Sequence, residues 1–185
     1  GSGNAAGLAQ MADYVERRLR DVGARTERIA GAAGQGTMVR GTLTGTGTKK
    51  LMLIAHMDTV YPAGTLASQP YHRDGNKLYG PGIADDKGGI AVILHSLAIL
   101  KDAGWRDYAQ LTVLFNQDEE VGSTGSGETI ARLAAEHDVV FSCEPTGAKA
   151  VVRTESLLLG AAGTASVTME VAGRSAHAGA APETG

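Results

Sequence analysis

Leu8, Met11, Ala12, Val15, Leu19 and Val22 recur at steps of three and four residues, the spacing of a helix with one apolar face. Asn4 stands where an N-cap belongs and Gly23 where such a helix would stop. Two extended runs follow, GTMVRGTL at 36–43 and KLMLIAH at 50–56. The TGTGTK between them has the Gly and Thr content of a hairpin-like connection. A stretch rich in Pro, Gly and Tyr then covers roughly 61–82, long enough to suggest a task beyond linkage.

The second half alternates more regularly. DKGGIAVILHSLAILKDA, residues 86–103, has helical period and a terminal Gly104, and its apolar content predicts burial on most sides. QLTVLFN (110–116) reads as an inner strand, QDEEVGSTGS (117–126) as a polar loop, Glu128 to His137 as a helix and DVVFSC (138–143) as a short strand. This alternation predicts an α/β three-layer sandwich with a mostly parallel sheet. From Leu157 to Val171 small and β-branched residues alternate, as in an edge strand of another module.

Composition narrows the class without changing the fold. A chain of 185 residues holds one core and part of a second. With 43% hydrophobic and 20% charged residues it reads as a soluble globular protein. The net charge of −3, with Lys and Arg dispersed, leaves no footprint for nucleic acid. The longest apolar run, IAVILHSLAIL (90–100), is broken by His95 and Ser96 and falls short of the ~20 residues of a membrane span. A lone Cys143 excludes an internal disulfide and a Cys-based zinc knuckle. The compartment stays open, cytoplasmic or periplasmic and secreted alike.

The chemistry sits at strand ends. In LMLIAHMDTV, residues 51–60, an apolar strand runs into His56 and Asp58, two residues apart and so on one face. A metal-bound imidazole commonly gives its second ring N–H to a carboxylate, although the pair alone is equally a surface ion pair. Three more acidic clusters tilt the balance: Asp85 in GPGIADDKGG, Asp118, Glu119 and Glu120 after QLTVLFN, and Glu144 after DVVFSC. Open α/β sheets build their sites in the crevice at the carboxyl ends of strands. Carboxylates gathered there repel one another unless a cation joins them. Glu119 and Glu120, being adjacent, face different ways: one can hold a metal while the other takes a proton from water.

Taken together, IAHMDTVYPAGT, LYGPGIADDKGG, FNQDEEVGSTGS, CEPTG and GRSAHAGAAPETG resemble the M20 family of di-zinc metallopeptidases, and within it the glutamate carboxypeptidase branch. The resemblance implies that His56 binds one zinc, Asp85 bridges both, Glu120 binds the second and Glu144 the first. It makes Asp58 the partner of His56, and Glu119 the general base and later the acid for the leaving amine. It also implies a cis peptide at Asp85–Asp86. His177, in GRSAHAGA, resembles the lid-domain histidine that stabilises the oxyanion, often in the partner subunit's site of a homodimer. Residues 1–156 would then be a catalytic zinc-binding domain and 157–185 the beginning of a lid and dimerisation domain.

The implied activity is hydrolysis of a peptide or amide bond, as a carboxypeptidase releasing a C-terminal amino acid such as glutamate. The same residues serve family members that split dipeptides and tripeptides or deacylate N-acyl amino acids. A further ligand histidine and a substrate-reading arginine of the family have no counterpart in the sequence. The chain therefore reads as a fragment, which leaves a non-catalytic fragment or binding protein holding one metal or none as an alternative, and apolar faces left uncovered would make it poorly soluble. A phosphate-loop reading of GPGIADDKGG fails because Lys87 precedes Gly88 and no hydroxyl residue follows. His72, His95 and His137 read as surface or satisfied core histidines, and Cys143 as a small buried residue.

Overall fold

The computed structural model describes residues 1–31, 34–145, 158–160, 167–170, 172–177, 179–181 and 183. The chain divides into two compact units, Gly1–Pro145 and Thr146–Gly185. In the second, 158–160 and 167–170 form no helix or strand, and the rest of the strand expected over 157–171 lies outside the described residues. Among the described residues no helix is long and apolar enough to cross a membrane.

The first unit starts with α1 (Ala5–Asp21), where the Asn4 side chain accepts from the Gly7 N–H and satisfies one of the helix's free first-turn donors. Leu8, Ala12, Val15 and Leu19 are its buried stripe. Then come β1 (Arg25–Ala30), β2 (Thr37–Thr44), β3 (Lys50–His56), the one-turn α2 (Thr65–Ser68), β4 (His72–Asp74), β5 (Lys77–Tyr79), α3 (Gly89–Asp102), β6 (Gln110–Asn116), α4 (Gly127–Ala135) and β7 (Val139–Ser142). The five-stranded sheet has the order β1-β2-β6-β3-β7. β1 and β6 run antiparallel to β2, and β3 and β7 parallel to β6. Four strands thus point one way and β2 alone the other.

Strand periodicity sorts the core into two faces. Leu111, Val113 and Phe115 of β6 join Leu51, Leu53 and Ala55 of β3 against α1 and α3. Met38, Met52 and Leu114 face the opposite way, against Leu133 and Ile130 of α4. Helices on both faces of one sheet make the three layers.

Three local expectations are corrected. The TGTGTK segment does not close a hairpin, because β6 lies between β2 and β3. Instead Gly45, Thr46 and Gly47 donate to the carbonyls of Ala109, Arg106 and Tyr108. Its glycines are needed there: a Cβ on Gly45 would meet the Arg106 carbonyl oxygen at 2.5 Å. Helix α3 is not buried on most sides: Ile90, Ile93, Leu94 and Leu97 face the sheet, while Val92 and Ile99 are exposed. Finally, β1 forms where the pattern shows no strand. It is an edge strand whose Arg28 reaches Asp13 and Glu16 on α1. The long 61–82 stretch carries α2 and the β4–β5 hairpin, on which His72 stacks over Tyr79 with ring centroids 4.7 Å apart.

Candidate metal centre

Three neighbouring strands bring their carboxyl ends, and the residues just after them, to one end of the sheet. His56 ends β3, the Asp118–Glu120 segment follows β6, and Glu144 follows β7. Asp85 arrives from the turn that leads into α3, where Gly82 adopts φ of +70° and the Asp85–Asp86 peptide is cis, as the resemblance implies.

His56 is 2% exposed and lies at the middle. Its Nδ1 is 3.1 Å from Asp58 Oδ1, and its Nε2 is 2.7 Å from Asp85 Oδ1. Asp58, 1% exposed, does more than orient the imidazole. Its Oδ1 also accepts from the Glu119 N–H, and its Oδ2 from the Glu120 N–H, each at 3.2 Å, and from the Ser2 hydroxyl at 2.6 Å. One buried carboxylate therefore ties the histidine to the backbone of both glutamates.

Ligand atoms of His56, Asp85 and Glu120 lie within 4.8 Å of one another, and so do those of His56, Glu119 and Glu144. The structure thus gathers five of the residues singled out in the sequence, in two groups that share the imidazole. His177 belongs to the second unit; it is exposed, and its Nδ1 accepts from Gly179 and Ala180 N–H at 3.2 and 3.1 Å. Asp118 joins neither group: it is buried, and its Oδ2 accepts from Gly125 and Ser126 N–H at 2.6 and 3.1 Å, which folds the loop after Glu120 back on itself.

Electrostatics bear the mark of a cation site. Burial pushes the His56 pKa down, but the hydrogen bond to Asp58, the charges of Asp86 and Asp58 and the bond to Asp85 prevail and raise it to about 9. Burial lifts the Glu119 carboxyl above its ordinary range, and the charge of Glu144 adds to it. Burial, then the charge of Asp85, lifts Glu120. Glu144 is raised by burial and by Asp85, Asp86 and Glu120, with His56 opposing. Burial first, and then the charges of neighbouring carboxylates, thus disfavour ionisation of Glu119, Glu120 and Glu144, and the imidazolium proton of His56 partly compensates that charge. A divalent cation would compensate it better, and an imidazole with several carboxylate oxygens is a donor set that such ions accept.

Sequence reasoning gave no role to Asp86, Lys87 or Ser2. Asp86 is fully buried and accepts from the N–H groups of His56 and Gly89, each at 3.1 Å. Lys87 Nζ donates to the Met57 carbonyl at 2.7 Å. The histidines read as uninvolved stand apart: His95 contacts the Ala91 carbonyl, and His137 the Leu133 carbonyl and the Thr112 hydroxyl. Cys143 is half-buried, and burial raises its thiol pKa.

Comparison with known proteins fits this geometry. The sequence pattern of Peptidase family M20/M25/M40 matches residues 52–183, which span every residue of the centre except Ser2. The chain belongs to this family. Among M20 relatives, carboxypeptidase G2 of Pseudomonas sp. (strain RS-16) is 48% identical over 186 residues, covering 100% of this chain and 44% of its own length. A β-Ala-Xaa dipeptidase of Lactobacillus delbrueckii subsp. lactis is 30% identical over 136 residues, covering 71% of this chain and 27% of its own. The chain thus spans less than half the length of these M20 proteins. The M20 fold itself is matched by the metallo-carboxypeptidase Sso-CP2 of Sulfolobus solfataricus, with TM-score 0.64 and 18% identity over 76% of this chain and 34% of that one. Membership of M20 implies a metal, and the grouped His56, Asp85, Glu119, Glu120 and Glu144 are the candidate ligands.

Proposed function

We propose that this chain is the catalytic part of a zinc-dependent hydrolase that cleaves an amide bond, acting as a carboxypeptidase that releases a C-terminal amino acid such as glutamate. The convergence of two acid–imidazole groups on His56, in an M20 chain 48% identical to a carboxypeptidase, carries this reading. His56, Asp85, Glu120 and Glu144 would hold a pair of zinc ions, Asp85 serving as a ligand of both. Bound there, such ions polarise a carbonyl and lower the pKa of a water. Glu119, its carboxyl pKa already raised by burial, takes a proton from the attacking water and passes it to the departing amine nitrogen. Asp58 fixes the tautomer and orientation of His56. His177 serves the oxyanion, in the partner's site of a homodimer formed through the lid domain.

The substrate is tested on the full-length protein with zinc supplied, against N-acyl glutamates, dipeptides and N-acetyl amino acids. Release of C-terminal glutamate at the highest kcat/KM is the expected result. Preference for a dipeptide or an N-acetyl amino acid would move the protein to another M20 activity while leaving the centre in place. No hydrolysis of any amide would overturn the reading.

Zinc and protons should compete at His56. With its pKa at about 9 in the metal-free protein, the ring is protonated at pH 7, and only the neutral ring binds a metal. Zinc binding at pH 7 should therefore release a proton into unbuffered solution, and apparent affinity should rise about tenfold per pH unit below pH 9 from this group alone. Calorimetric titrations in buffers of different ionisation enthalpy measure that proton directly.

A further inference from the structure

We infer that Asp86 and Lys87 are positioning residues of the proposed metal centre, clamping the main chain on both sides of the His56 side chain. The observation behind this is an interrupted strand edge. β7 pairs with β3 only as far as Ile54 opposite Ser142, and the last bond across this edge runs from the Cys143 N–H to the Ile54 carbonyl at 2.9 Å. In a parallel ladder, residues two apart turn the same backbone groups to the same neighbour. The His56 N–H therefore faces the place where β7 would continue, and β7 has already ended.

Asp86 supplies the missing acceptor. Its Oδ2 takes the His56 N–H at 3.1 Å and its Oδ1 takes the Gly89 N–H at 3.1 Å, with the side chain 0% exposed. One carboxylate so joins the end of β3 to the first residue of α3. Gly89 has no room for a side chain: a Cβ would press on Asp86 Oδ1 and meet the Cys143 carbonyl oxygen at 2.5 Å. Lys87 completes the clamp from the next residue, its ammonium donating to the Met57 carbonyl at 2.7 Å. The Met57 N–H is meanwhile given to the Asn116 carbonyl, also at 2.7 Å. Of the backbone polar groups of His56 and Met57, the His56 N–H and both groups of Met57 are thus held.

The chemical sense of this lies in the order Asp85-Asp86-Lys87. The side chain nearest His56 Nε2 belongs to the residue directly before the clamp, so the segment that carries Asp85 also holds the segment that carries His56 and Asp58. Their separation is then set by two short covalent paths and two bonds to main chain rather than by the metal. Sites of this kind lose function when supporting groups leave ligands an ångström out of place.

The inference rests on the metal-centre reading, and the test keeps the two separable. In the full-length protein, zinc affinity is measured by competition with a chromogenic chelator for wild type, Asp86→Asn, Lys87→Met and Lys87→Arg. Hydrogen exchange of the His56 amide is followed in the metal-free forms. Asp86→Asn keeps the shape but offers one acceptor oxygen to two N–H groups. It should speed His56 amide exchange and weaken zinc binding by about 10–100-fold, the usual cost of losing support around a ligand. Lys87→Met should weaken zinc binding by a similar factor, and Lys87→Arg, which can still donate to Met57, should restore most of it. Unchanged zinc affinity in both Asp86→Asn and Lys87→Met, with wild type binding normally, would overturn the clamp. Equal losses in Lys87→Met and Lys87→Arg would do the same, since a merely structural lysine is not rescued by its donor. If wild type binds no zinc, the metal reading fails, and His56 amide exchange in Asp86→Asn still decides the clamp. Should Asp86→Asn not fold, the Lys87 pair decides alone.

Discussion

Glu119→Gln in the full-length protein lowers kcat by about 10²–10⁴-fold, the span that a positioned general base contributes, and leaves zinc content at the wild-type level. The amide has the shape of the carboxylate but cannot accept and return a proton. What makes this substitution informative is that geometry alone leaves Glu119 two roles. Its carboxylate lies in a group with His56 and Glu144, so it is near enough to be a ligand. Its neighbour Glu120 donates its backbone N–H to the same Asp58 carboxylate, and the Glu120 side chain accepts from the Val60 N–H at 3.0 Å. Metal analysis after dialysis, beside steady-state kinetics, separates the roles. Retained zinc with lost turnover makes Glu119 the base. Zinc lost together with turnover makes it a ligand, and Glu120 or Glu144 would then have to supply the base.

Asp85→Asn removes zinc. The Asp85 carboxylate sits 2.7 Å from His56 Nε2 and shares a group with Glu120, and in the proposed centre it is the ligand common to both zinc ions. Asparagine keeps one weak oxygen donor and gives up the negative charge. The drop in zinc affinity should exceed the ~10–100-fold that loss of an orienting partner costs, a figure that Asp58→Ala should show in the same chelator competition. Asp85 is half-exposed, so its loss leaves no buried cavity and the fold should persist by circular dichroism. If Asp85→Asn bound zinc as tightly as wild type, Asp85 would not be a ligand and the bridging role would be withdrawn.

The elements legible in the sequence are those fixed by local pattern. β6 occupies Gln110–Asn116, the residues of QLTVLFN, because a short run of apolar and β-branched residues is suited to burial on both faces. α1 is set by its apolar stripe and by Asn4, both local. The partnering of strands is not local: nothing in TGTGTK says that a strand from residue 110 onward will enter between β2 and β3. β1 is not legible because its stability comes from its ladder with β2, from Ala30 opposite Thr37 to Arg25 opposite Thr42, and from the contacts of Arg28 with α1.

The centre divides along the same line. His56 and Asp58 are legible as a pair because two residues on a strand share a face. The convergence of Glu120 and Glu144 is readable from their places after successive strands, and that of Asp85 from its glycine-rich turn before a helix and from the resemblance to M20. The reach of Asp58 to the Glu119 and Glu120 amides, and of Asp86 and Lys87 to the main chain around His56, is not. Those contacts join segments about 30 or 60 residues apart through backbone groups, and backbone groups leave no trace in side-chain patterns.

Anomalous diffraction at the zinc absorption edge, from zinc-loaded crystals of the full-length protein, tests directly whether the imidazole and carboxylates meet around divalent ions. Two anomalous peaks are expected, one of them about 2.0–2.1 Å from His56 Nε2, with Asp85 oxygens bonded to both. Zinc bound elsewhere, or a single peak touching neither His56 nor Asp85, would contradict that arrangement.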